Sequence, residues 1–163
     1  MNVAVIGGGM TGLEVAERLA EDGNKVTVIE MKPVLGDGTF VANVNYSKKF
    51  LEERGADLKT NMALKEIRDG SIIIEPYHGK YVGAGLTAIR SHGGFVETAS
   101  VEDSGAVELE VDATVLSLGI KPDLSFRDEL EKRFENVVHI GDCTAPGRIG
   151  DATSAAYLTA KNL

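Results

Sequence analysis

The sequence predicts an α/β fold, with a central parallel sheet, flanking helices and an antiparallel β-meander. Three observations carry that expectation. Met1–Ile6 is a short apolar run that breaks at once into Gly7-Gly8-Gly9-Met10-Thr11-Gly12, after which Leu13, Ala16, Leu19 and Ala20 recur at helical spacing. A second apolar run, Lys25–Ile29, stops on Glu30. Further on, apolar runs alternate with turn signals before the chain closes on a strand-like segment and a helix.

The first two observations form a G-x-G-x-x-G motif between a strand and a helix, with an acid closing the second strand. Each residue type has a physical task there. Gly7 turns the chain sharply, through backbone angles that a Cβ would penalise. Gly9 clears the backbone where a pyrophosphate must approach, and Gly12 lets helix and strand pack closely. Amides of the first helical turn, Met10 and Thr11 among them, then face phosphate charge at the positive end of the helix dipole. Glu30 follows Gly12 by 18 residues, near the spacing of about 20 at which an acid accepts hydrogen bonds from the adenosine ribose. The pattern predicts a Rossmann-like dinucleotide-binding fold. A carboxylate repels a 2′-phosphate, so Glu30 favours NAD over NADP, while Lys32, next but one, blurs the preference. The bland alternative is a glycine turn with a Glu capping a strand edge.

The remaining elements follow in order. Gly23 supplies a C′ stop for the first helix. Pro33 to Gly38 is rich in turn residues and leads into a helix of roughly residues 40–54, with Val44, Phe50 and Leu51 on its apolar stripe and Gly55 ending it. Leu58 marks a short strand. Leu64 to Ile67 and Ile72 to Ile74 flank Asp69-Gly70, a strong two-residue hairpin signal. Residues 76–105 resist assignment. Val107, Leu109 and Val111 alternate with Glu108, Glu110 and Asp112, as in a half-exposed strand. Val115–Leu118 reads as a more fully buried strand, closed by Gly119 and Pro122. A helix at Ser125–Arg133, a last strand at Asn136–Ile140 ended by Gly141-Asp142, and a helix from about Asp151 to Asn162 complete the chain. The expected division is a NAD(H)-binding domain over 1–122, its meander around 57–112, and a C-terminal segment over 123–163.

Composition limits the alternatives. The chain has 163 residues, 43% hydrophobic and 26% charged, as in ordinary globular proteins. Lys and Arg number 17 against 25 Asp and Glu, a formal charge of -8, which argues against nucleic acid or an anionic membrane as partner. Cys143 is the one cysteine, so no disulfide framework can be built. No apolar run reaches the ~18 residues a membrane span requires. With no basic stretch ahead of the first apolar run, a cytoplasmic location is expected.

Val5-Ile-Gly-Gly-Gly-Met-Thr-Gly-Leu-Glu14 is similar to the NAD-binding domain of the pyridine nucleotide-disulfide oxidoreductase superfamily. Asp112 to Pro122, a strand running into the Gly119 turn, resembles that superfamily's second signature. Val137-Val-His-Ile-Gly141-Asp142 resembles its third, in which an Asp holds the ribityl chain of FAD. Val28-Ile-Glu-Met31 and Ile140-Gly-Asp-Cys143 look closest to the C-terminal module of NADH:flavin oxidoreductases such as enoate and 2,4-dienoyl-CoA reductases. The resemblance covers residues 1 to about 75 and about 106 to 163. It implies NAD(H) as coenzyme and FAD in a full-length enzyme. The FAD half-domain and catalytic domain would lie elsewhere, so the chain is expected to be a fragment, with self-association left open. The implied cofactor-binding residues are Gly7 to Gly12, Glu14, Glu30, Met31, Lys32, Gly119, Gly141 and Asp142.

Other constellations are weaker. Gly83-Ala-Gly-Leu-Thr-Ala88 also fits G-x-G-x-x-A, but only Tyr81-Val82 could serve as its strand, which points to a loop. The family resemblance places Glu14 near the nicotinamide carboxamide; the alternative is a solvated acid in the first helical turn. Asp142 is either a flavin ribityl ligand or a cap for the last helix. Cys143 has no partner cysteine or evident base, and His78, His92 and His139 lack metal-ligand spacing. No catalytic side chain is expected, because the cofactors carry the hydride. The alternatives are a non-catalytic nucleotide-binding module and an FAD domain using the same glycine loop.

Overall fold

A computed structural model of the chain describes residues 1–79 and 105–162. They form two compact units, Met1–Leu118 and Gly119–Leu163. The first contains β1 (Asn2–Ile6), α1 (Met10–Glu21), β2 (Lys25–Ile29), α2 (Val41–Glu53), β3 (Asp57–Lys59), β4 (Met62–Arg68), β5 (Ser71–Pro76), β6 (Val107–Glu110) and β7 (Ala113–Leu116).

Four of these strands make a parallel sheet in the order β3-β2-β1-β7. β1 is matched to β2 from Asn2↔Lys25 to Ile6↔Ile29, and to β7 from Val3↔Ala113 to Ile6↔Leu116. With strands on both sides and layers on both faces, β1 is a continuous apolar run, as central parallel strands are. The two-residue period divides its side chains. Val5 points into one core with Leu13 and Ala16 of α1, Val26 and Val28 of β2, and Val44 and Leu51 of α2. Ala4 and Ile6 point into the other, with Ile29 and with Ile72 and Ile74 of β5. The parallel sheet therefore lies between a helical layer and the meander, a three-layer Rossmann-like arrangement.

The meander is antiparallel, in the order β4-β5-β6. Arg68 pairs with Ser71 across the expected Asp69-Gly70 turn, where Gly70 takes a φ of 75°. A bulge between Leu64 and Glu66 shifts the register.

Two expected strands differ. The run placed at Val115–Leu118 is a strand over Ala113–Leu116 and is not buried, Leu116 and Leu118 being 55% and 69% exposed. β7 has one strand neighbour among the described residues, so its apolar residues are covered on fewer sides than those of β1. The strand placed at Asn136–Ile140 does not form. A strand needs a neighbour for its backbone groups, and no strand occurs among the described residues of the second unit. That unit consists of α3 (Ser125–Arg133), a single 3₁₀ turn at Gly141–Cys143 and α4 (Ile149–Lys161), and neither α-helix buries a residue. No helix among the described residues is long and apolar enough to cross a membrane.

Candidate dinucleotide site

β1 is where the parallel sheet reverses direction. The chain moves outward to β2 and β3 on one side and returns at β7 on the other. Open α/β sheets bind ligands beyond the carboxyl ends of their strands at such a reversal. The Gly7–Gly9 turn lies there. Gly7 has a φ of 108°, and a Cβ on it would stand 2.1 Å from the Ser117 carbonyl oxygen, just past β7. A side chain is excluded twice, by backbone angle and by space.

Gly12 is excluded by space alone. Its Cβ would fall 1.9 Å from the Gly7 carbonyl oxygen, so helix and turn touch through backbone. Gly8 has Leu35 and Glu30 against it, with Leu35 Cδ2 2.4 Å from the added carbon. Gly9 differs: nothing lies within 4 Å of its Cβ position, and the residue is exposed. The turn is thus closed on its protein side and open where Gly9 begins α1.

The helix end is also electrically open. Among the described residues no side chain caps α1, and no acid occupies its first turn. Its leading amides, from Met10 and Thr11 onward, precede the first intrahelical bond, Leu13 N–H to Gly9 C=O at 3.0 Å. Glu14, placed in the first turn by sequence, falls beyond it because α1 starts at Met10; it is exposed. The positive end of the helix dipole therefore meets no competing carboxylate of its own.

Glu30 is 8% exposed. Its Oε2 accepts the Gly8 N–H at 2.7 Å, and its Oε1 accepts the Lys32 N–H at 2.8 Å. The carboxylate therefore ties the end of β2 to the second glycine of the turn. A carboxylate offers about four acceptor positions, so two amides leave room for ribose hydroxyls. The residues fit a dinucleotide on these grounds: a cradle at Gly9, open amides and a fixed acid. Met31 is 43% exposed. The Lys32 ammonium donates to Asp37 Oδ2 at 2.8 Å.

Gly119, Gly141 and Asp142 belong to the second unit. Gly119 and Gly141 take φ values of 80° and 79°. Asp142 Oδ1 accepts the Gly147 N–H at 3.1 Å, and these residues line a cavity of about 180 Å³ with His139, Arg148 and Asp151. Cys143 is exposed and donates to the Ile140 carbonyl at 3.1 Å. The Gly83–Ala88 motif and His92 lie outside the described residues.

Three contributors escaped the sequence reading. Leu35 packs on Gly8; Gly36 N–H bonds the Gly8 carbonyl at 2.7 Å; Asp37 holds Lys32. A lone Leu followed by Gly-Asp-Gly inside a turn-rich stretch was the available signal, although spacing alone does not say where such a loop folds back.

The fold and this corner define an α/β domain with a Rossmann-like arrangement. Residues 2–75 match the model of the family described as pyridine nucleotide-disulphide oxidoreductase. Over 94% of its length the chain is 32% identical to rubredoxin-NAD(+) reductase of Ectopseudomonas oleovorans, covering 35% of that protein. Over 99% it is 31% identical to bilirubin reductase of Mediterraneibacter gnavus, covering 21%. The chain thus spans about a third or less of these curated relatives, which are oxidoreductases. Histamine dehydrogenase from Rhizobium sp. 4-9 shares the fold at a TM-score of 0.69 and 19% identity, over 99% of this chain and 23% of that one.

Proposed function

We propose that this chain supplies the NAD(H)-binding part of a flavin-dependent NADH oxidoreductase. The observation that supports it most is the open N-terminus of α1 at the sheet reversal, with the Glu30 carboxylate fixed beside Gly8. Relatives whose names specify NAD(+) reductase and NADH oxidase activity agree with that coenzyme. In this reading the Gly9–Thr11 amides take the pyrophosphate and Glu30 takes the adenosine ribose. The FAD half-site and the substrate-handling domain come from the rest of a longer protein, to which Gly141 and Asp142 contribute. The wording of Val28–Met31 and Ile140–Cys143 favours the C-terminal module of the enoate and 2,4-dienoyl-CoA reductase type. NADH supplies a hydride, and the protein's part is position and electrostatics.

Fluorescence titration tests the proposal. The chain is expected to bind NADH saturably and to oxidise none of it unaided. Glu30→Gln should weaken NADH about tenfold, the scale of a hydrogen bond to a charged group. Saturable FAD binding without NADH binding would assign the turn to the other dinucleotide.

A further inference from the structure

The fixed Glu30 carboxylate leaves one question about the ribose edge of the site, because Lys32 begins beside it. A lysine free to reach a 2′-phosphate would offset the repulsion Glu30 exerts. We infer that Asp37 is a specificity-determining positioning residue: it holds the Lys32 ammonium away from the ribose edge and so turns the site toward NADH and against NADPH. The inference rests on the dinucleotide reading above.

Three features of the segment between β2 and α2 support it. The Lys32 N–H bonds Glu30 Oε1 at 2.8 Å, which sets the lysine backbone beside the ribose acid. Its Nζ bonds Asp37 Oδ2 at 2.8 Å, and the Asp37 side chain is 9% exposed, so this carboxylate is a fixed anchor and not a mobile surface acid. The residue before Asp37 is fastened to the turn itself, Gly36 N–H to Gly8 C=O at 2.7 Å. Gly36 also has a φ of 62°, and a Cβ there would stand 2.3 Å from Val44 Cγ2, so the loop's path beside α2 is tightly defined.

Charge then decides between the coenzymes. The Glu30 carboxylate repels a 2′-phosphate of about -2 and offers an acceptor to a 2′-hydroxyl, while the Lys32 ammonium that would offset the repulsion is paired with Asp37. The Lys32 side chain is 43% exposed. An ion pair so placed adds little to stability, which makes coenzyme choice the more sensitive readout.

The test is the dissociation constants of NADH and NADPH for the wild-type chain, Asp37→Asn, Lys32→Gln and the double variant. Wild type should prefer NADH. Asp37→Asn should tighten NADPH about fivefold, the effect of gaining one partly exposed ion pair, with a smaller change for NADH. The gain should shrink as salt rises and vanish in the double variant. An NADPH-to-NADH ratio unchanged by Asp37→Asn would overturn this inference alone. So would a gain that persists without Lys32, or an equal loss of both coenzymes. If wild type bound neither coenzyme, the dinucleotide reading and this inference would fall together.

Discussion

The chain builds two corners from the same ingredients: a glycine at positive φ, an acid and the N-terminus of a helix. It holds them differently. At the first, the acid comes from a neighbouring strand, is buried, and binds Gly8 across the turn. Helix α1 is packed through Gly12, Leu13 and Ala16, and its first turn carries no acid. At the second, both acids are local. Asp142 accepts the Gly147 N–H, and Asp151 in the first turn of α4 accepts the Arg148 N–H at 2.8 Å. That helix buries nothing. Composition at a helix start therefore does not by itself make it receptive to an anion. The amides leading into α4, those of Gly147 and Arg148, are met by the nearby carboxylates of Asp142 and Asp151; the first turn of α1 carries no acid, and tertiary packing through Gly12 holds the glycine turn against it.

The comparison can be broken by substitution, and the largest effects belong to the first corner. Gly12→Ala drives a carbon into the Gly7 carbonyl, and should destabilise by about 3 kcal/mol, the upper range for overpacking between backbones. Gly141→Ala has only the left-handed angle to contend with, since its nearest neighbour would be Ala152 Cβ at 3.6 Å, and should cost about 1 kcal/mol. Urea unfolding of both variants gives the contrast; equal losses would mean that the two corners are held alike. Leu51→Ala, in the core beneath α1 and α2, should cost about 2–5 kcal/mol. Leu158→Ala, at a position 57% exposed on α4, should stay within about 0.5 kcal/mol. Asp151→Ala should lose about 0.5–1 kcal/mol with its cap and dipole interaction, read as a slight fall in helical circular dichroism on heating.

Legibility in the sequence followed the same divide. β1, the glycine turn, α1 and β2 could be read because apolar period, turn chemistry and helix signals agree there, and local rules suffice. The Asp69-Gly70 hairpin was legible for the same reason. Val115–Leu118 was misplaced because an apolar run does not reveal whether its strand is central or at an edge. Asn136–Ile140 has strand-forming residues but no neighbouring strand among the described residues, and pairing is not a local property. Ser47, 1% exposed on α2, interrupts the apolar stripe and so went unnoticed. In the candidate site, the glycines and Glu30 were visible through their spacing. The Leu35–Asp37 segment was not, since only the folded loop brings it back onto Gly8.

Amide chemical-shift mapping during an NADH titration locates the bound coenzyme residue by residue. The largest shifts are expected at Gly8 through Gly12 and at Lys32, whose N–H shares the Glu30 carboxylate, with Gly147 and Arg148 scarcely moving. Saturating shifts centred on Gly141–Arg148, with the first glycine turn unperturbed, would contradict the account.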